Sequence, residues 1–199
     1  MPNLRPLRLP PAEFPTLDVP VTPYPARTLW RLHGQGQSAL YFSLNRQHRF
    51  SHADCPAKLL YLGEELTTCI WERFGDDVLN VSARVSMGLW STRTLSHVQV
   101  PELRLCDLTD ELTRSRAKVD VSALIHPDLS VPKTWGLAIQ RHPANYDGLR
   151  YRSRFDNQPC IALFARALLI PLLRESPVTD LVDAPEADAF VTQHQLSLI

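Results

Sequence analysis

Eight prolines fall within the first 27 residues, at positions 2, 6, 10, 11, 15, 20, 23 and 25. Each fixes its own φ, removes a backbone donor and biases the residue before it towards extended geometry, so no continuous helix can run through this segment. Residues 1–27 are therefore expected to form an extended arm that wraps the domain or a partner. With 199 residues, 44% of them hydrophobic, the chain can bury one sizeable core, and residues 28–199 read as one domain.

Past the arm, TLWRLH (28–33), ALYFSL (39–44) and KLLYLG (58–63) are short, apolar and rich in β-favouring residues, which predicts three strands. The period then changes. Leu66, Ile70 and Phe74 recur at every fourth residue, predicting a helix over 64–74 that Gly75 stops. On that helix Glu65, Thr68, Cys69 and Glu72 lie off the apolar stripe, so Glu72 is expected to face a cleft instead of the core. Further strands are expected at 79–90, 97–108, 149–155, 159–165 and 167–173, with helices at 111–119, 133–142 and around 184–195. There is no regular βαβ rhythm, no G-x-G-x-x-G and no P-loop signature. The reading is an α+β fold with mixed or antiparallel sheets and flanking helices.

Several classes of function fall away on composition. Lys+Arg and Asp+Glu both number 21, and no long basic run offers a phosphate-neutralising surface, so direct nucleic-acid binding is not expected. The four cysteines, at 55, 69, 106 and 160, form no CxxC pair; reduced, mostly buried thiols are expected, and no metal site. The N-terminal prolines interrupt any signal-peptide-like apolar run, and no segment reaches the roughly 20 apolar residues that span a bilayer, so a cytoplasmic location is expected.

Four clusters place polar residues in segments otherwise suited to a core: Trp30-Arg31, Arg49-Phe50-Ser51, Tyr61 to Glu72, and 147–157. Each has an ordinary structural alternative. Arg31 could be a surface cation with a buried stem, Arg49 a loop charge, Tyr61 an amphipathic residue at the core edge, and Glu72 part of a solvated helix face. In 149–155, Leu149, Tyr151, Ser153 and Phe155 alternate with Arg150, Arg152 and Arg154. The arginines suit either phosphate binding or a solvent-facing strand, whereas an inward Ser153 requires a hydrogen-bond partner. His126 and His142 match no metal-ligand spacing and read as structural or helix-capping. No GxSxG nucleophile elbow is present.

In order and spacing, WR at 30–31, RF at 49–50, LYLGEELTTCIWE and YDGLRYRSRFDNQPCIALF resemble the RES domain, over roughly residues 28–165. That family is named for an arginine, a glutamate and a serine. The resemblance implies that these are Arg31, Glu72 and Ser153, acting in catalysis, with Arg49, Tyr61, Tyr151 and Asn157 joining Arg31 in binding NAD⁺. It also implies a fold like that of ADP-ribosyltransferase toxins, a catalytic domain over 28–199, and a partner antitoxin of the Xre type. NAD⁺ would be the substrate, with no tightly bound cofactor. Where many relatives carry an asparagine and a glycine after the RF pair, this chain has Ser51-His52-Ala53-Asp54.

These residue types suit such chemistry. Breaking the nicotinamide–ribose bond creates an oxocarbenium-like sugar, which a carboxylate can stabilise, while arginine forks neutralise the pyrophosphate. Water, inorganic phosphate or a protein side chain could accept the ADP-ribose. Two other readings remain open at this level: a non-catalytic interaction protein on the same fold, and an enzyme acting on another nucleotide or sugar phosphate.

Overall fold

In a computed structural model, which describes residues 9–43, 47–126 and 128–199, ten strands and six α-helices are found. The strands are β1 (Thr22–Tyr24), β2 (Arg27–Gly34), β3 (Leu59–Gly63), β4 (Arg84–Val85), β5 (Arg93–Val100), β6 (Leu103–Asp107), β7 (Gly148–Arg152), β8 (Pro159–Phe164), β9 (Arg174–Asp180) and β10 (Ser197–Leu198). The helices are α1 (Leu66–Val78), α2 (Met87–Ser91), α3 (Glu111–Ala117), α4 (Val121–Ile125), α5 (Ser130–Arg141) and α6 (Pro185–Gln193). Eight strands form one sheet in the order β1-β6-β7-β8-β3-β2-β5-β9, antiparallel except for β6 beside β7, and β4 pairs with β10. This is the expected α+β class.

One short connection bends that sheet. β5 and β6 stand five positions apart, about 24 Å across a flat sheet at roughly 4.8 Å per strand. Pro101 and Glu102 alone join them, and so short a link reaches only about 11 Å. The sheet therefore folds over, bringing β2-β5-β9 against β1-β6-β7-β8-β3. Leu29, Val98 and Val100 from one half meet Leu60, Leu62, Leu105, Ile161 and Leu163 from the other in a single apolar cluster.

The alternation of β3 and β8 sends the intervening residues outwards. Leu59, Cys160, Ala162 and Phe164 pack with Trp135 and Ile139 of α5 in a second cluster, and Trp30 and Leu32 of β2 meet Leu66, Ile70 and Phe74 of α1 in a third. The described part of the arm joins the second cluster. Phe14 sits edge-on to Trp135 with ring centroids 5.4 Å apart, the Tyr146 hydroxyl donates to the Val19 carbonyl at 2.9 Å, and β1 forms one edge of the sheet.

Several elements differ from the sequence reading. Gly75 does not end α1, which continues to Val78; it is a glycine because a Cβ there would stand 2.4 Å from the Phe155 ring. The expected strand at 39–44 is a turn in its described part, with only Ser43 bridging to Leu59, and residue 44 lies outside the described residues. Segment 79–90 holds the two-residue β4 and then enters α2, while 167–173 forms a turn and a 3₁₀ helix at Ile170–Leu172. The single strand expected over 97–108 is divided by Pro101 between β5 and β6, and 149–155 is a strand only as far as Arg152. His126 and His142 do act at helix ends: their Nδ1 atoms accept from the backbone N–H groups of Asp128 and Ala144, both at 3.1 Å.

Gly136 fixes how closely α5 approaches the segment carrying Arg49, since a Cβ would lie 2.3 Å from the Phe50 carbonyl oxygen. The helix-propensity gain of Gly136→Ala, at most about 1 kcal/mol, is smaller than the overpacking cost, so a net loss of about 2 kcal/mol is expected in urea unfolding.

A carboxylate cleft at the crease of the sheet

β2 and β3 share one registered pair, Trp30 with Gly63. Where they part, a cleft of about 380 Å³ opens, with Leu32 on one side and Tyr61, Leu62 and Gly63 on the other. The lower turns of α1 are locked over it. Thr68 Oγ1 donates to Asp156 Oδ2 at 2.8 Å, and the Cys69 thiol donates to the Trp30 carbonyl at 3.4 Å. A Cβ on Gly63 would come within 2.7 Å of Cys69 Sγ, so only glycine lets the helix settle this close. Glu72, one turn further on, then lines the cleft.

The Glu72 carboxyl has two unlike oxygens. Oε2 lies 3.5 Å from the Tyr151 hydroxyl, at the long limit of a hydrogen bond, whereas Oε1 is buried with no partner among the described residues. Burial pushes its pKa above the usual 4.5, and the Ser153 hydroxyl and then the Arg49 charge act against that rise. Ser153 is itself buried. Its Oγ accepts from the Phe155 N–H at 3.3 Å. The inward serine thus has the partner that its position requires.

Arg49 is also buried. Nη1 donates to the Leu124 carbonyl at 2.9 Å, while Nε has no partner among the described residues. The Tyr61 hydroxyl accepts from the Phe50 N–H at 3.1 Å and lies 3.4 Å from Ser51 Oγ; its ring stands 5.1 Å from that of His48. Burial raises the Tyr61 and Tyr151 hydroxyls well above their usual pKa, so both remain protonated donors. For His48, burial and then the nearby Arg31 charge lower the pKa, favouring the neutral ring.

Glu72, Arg49, Tyr61 and Tyr151 thus converge on the cleft, with Ser153 behind the carboxyl. Arg31 alternates away from the lining and leaves that place to Leu32. Its Nη2 donates to the Tyr41 carbonyl at 3.0 Å, its Nε and Nη1 are buried without partners among the described residues, and burial lowers its pKa to about 10. Asn157 is not brought to the cleft. It is an exposed, left-handed turn residue (φ 60°) whose carbonyl accepts from Arg152 Nη1 at 3.0 Å. The three alternating arginines share no cationic face: Arg150 binds Glu64 and Asp107, Arg152 reaches that turn, and Arg154 binds Asp76 beside the cleft. Sequence reading missed His48, Arg73, Leu129 and Cys160 in the lining; His48 and Leu129 lie in loops with no period to mark them.

A folded mixed sheet with a desolvated carboxylate at its crease defines the class of protein. Residues 28–182 match the RES domain, and the chain belongs to that family. Among solved structures it is similar to the M. tuberculosis MbcT–MbcA toxin–antitoxin complex, at 18% identity and a TM-score of 0.58, over 79% of this chain and 86% of that one. That likeness is one of fold. No curated protein matches significantly in sequence. Among the described residues no cluster of His, Cys, Asp and Glu could hold a metal ion, and no helix is long and apolar enough to cross a membrane.

A raised carboxyl pKa means that the folded state binds the proton more tightly than the unfolded chain, so ionising Glu72 opposes folding. Glu72→Gln removes that opposition. Urea unfolding should show the variant gaining on the wild type as pH rises above about 4.5, with no gain from this source below about pH 4.

Proposed function

We propose that this protein is a toxin-like enzyme that binds NAD⁺ in the crease and breaks its nicotinamide–ribose bond. The observation that carries the proposal is the half-buried Glu72 carboxyl in an open cleft, with its Oε1 buried and unpartnered among the described residues, beside a buried arginine and two protonated tyrosines. A desolvated acceptor of this kind is costly to keep unless a ligand satisfies it. The ribose hydroxyls of NAD⁺ supply donors, and the oxocarbenium-like sugar formed as nicotinamide departs supplies the positive charge that an ionised carboxylate stabilises best.

The roles follow from position. Ionised Glu72 holds the ribose and stabilises its developing charge; Ser153 orients the carboxyl; Tyr151 donates towards Oε2 or the sugar. Tyr61, fixed by the Phe50 N–H, offers a ring face to the nicotinamide, and the free Nε–H of Arg49 points to an anionic or carbonyl oxygen of the substrate. Arg31 supports the site by its charge and by anchoring Tyr41. Nicotinamide leaves with the bonding electron pair as a neutral molecule, and water, inorganic phosphate or a protein side chain forms the new bond at the ribose. Membership of the RES family and the fold shared with MbcT support this reading, and support an antitoxin partner.

Purified protein should consume NAD⁺, with nicotinamide and either ADP-ribose or its phosphorylated product identified by mass with and without phosphate. Glu72→Gln should lower the rate by at least about 100-fold, the scale of losing one preorganised charge-stabilising group. The wild-type rate should rise with pH from above 4.5 as Glu72 ionises. No loss of NAD⁺ under any condition, or full activity in Glu72→Gln, would contradict the proposal.

A further inference from the structure

The run ALLIPLL, residues 167–173, carries no polar side chain, yet only two of its members join the core. Leu169 and Leu173 are buried in the inner cluster, whereas Leu168 is 89% exposed, Leu172 57% and Ile170 42%. The 3₁₀ turn over Ile170–Leu172 divides the run in this way. Polar residues at the three exposed positions would serve a single chain as well, so a ridge of large apolar side chains there points to an interaction face. Beside the ridge lies a groove of about 330 Å³. Leu168, Leu172 and Pro101 give its lining an apolar part, and Glu102, Asp147 and Arg166 a polar one.

That lining is held in place. Pro101 belongs to the two-residue link that folds the sheet, Asp147 Oδ2 accepts from the Arg104 N–H at 2.8 Å, and Arg166 Nη2 donates to the Gln140 and Tyr146 carbonyls at 3.1 and 3.2 Å. A preformed face loses little conformational freedom on docking. Two properties select a second copy of this chain as the occupant. A two-fold contact needs one patch that carries both a projecting and a receiving part, and Leu168 projects beside the groove it helps to line. Charge agrees, because the groove holds both signs and the chain has 21 basic and 21 acidic residues, so an identical copy meets no net repulsion. The face also stands away from the cleft. Asp147 lines the groove and Tyr151 the cleft, separated along β7 by about 14 Å at roughly 3.4 Å per residue.

We propose that this ridge and groove form the two-fold interface of a homodimer, with Leu168 of each copy seated in the groove of the other and both Glu72 clefts left open. The interface does not depend on the NAD⁺ reading.

The test is the mass of the full chain in solution, measured by sedimentation equilibrium from about 1 to about 100 μM. The wild type reaches twice the chain mass at the upper end of that range. Leu168→Asp and Leu172→Asp, at exposed positions and with folds matched to the wild type by circular dichroism, stay at the single-chain mass throughout. Leu79→Asp, at an exposed leucine outside the ridge, dimerises as the wild type does. The wild-type melting temperature rises with protein concentration, and that of Leu168→Asp does not. A wild type that keeps the single-chain mass over the whole range overturns the dimer and leaves the face to a partner of another kind. A dimer that survives both ridge substitutions, or that Leu79→Asp abolishes equally, overturns it by placing the interface elsewhere.

Discussion

Pro101 and Glu102 tie together two strands that a flat sheet would hold five positions apart, and the rest of the architecture answers to that tie. The sheet folds around Leu29, Val98, Leu60 and Ile161, and its two halves stay joined at the crease by the single pair Trp30–Gly63. Helices then cover two separate outer faces: α5 over β3, β7 and β8, and α1 over β2 and β5. A gap between the coverings is unavoidable where the strands part. The site occupies that gap.

Placing a carboxylate there has consequences for both stability and chemistry. Burial disfavours the ionised form of Glu72, and Ser153 and Arg49 recover only part of the loss. A residue chosen only for folding would not be an acid with an unsatisfied buried oxygen. The surrounding rigidity keeps it there: Gly63 admits Cys69, Thr68 binds Asp156, and Gly75 admits Phe155, so α1 has little freedom to swing the carboxyl into water. Strain of this kind, held in place by packing, is the usual mark of a preorganised binding or catalytic group.

Much of this was legible in the sequence, for reasons that can be named. The four-residue recurrence of Leu66, Ile70 and Phe74 fixed the face on which Glu72 lies, and alternation through Leu149, Tyr151 and Ser153 turned the serine inwards; all of these but Glu72 are buried. What failed was information carried by distant partners. Gly75 looks like a stop signal until the Phe155 ring is seen against it. The apolar run at 167–173 divides its leucines between burial (Leu169, Leu173) and exposure (Leu168, Leu172), which suits a 3₁₀ turn capping the inner core. β9, RESPVTD, has no strand pattern because it is a largely exposed edge with a register slip opposite Leu95 and Ser96. Asn157 matched by order and spacing alone, and its left-handed backbone at a turn was invisible.

The central claim is that the nicotinamide ribose of NAD⁺ is held against Glu72 in the crease, and its most direct test is a crystal structure of Glu72→Gln with NAD⁺ bound. The account predicts intact dinucleotide, with its nicotinamide ribose in hydrogen-bond range of residue 72 and its nicotinamide against the Tyr61 ring. NAD⁺ bound elsewhere, or an empty crease at saturating NAD⁺, would contradict it.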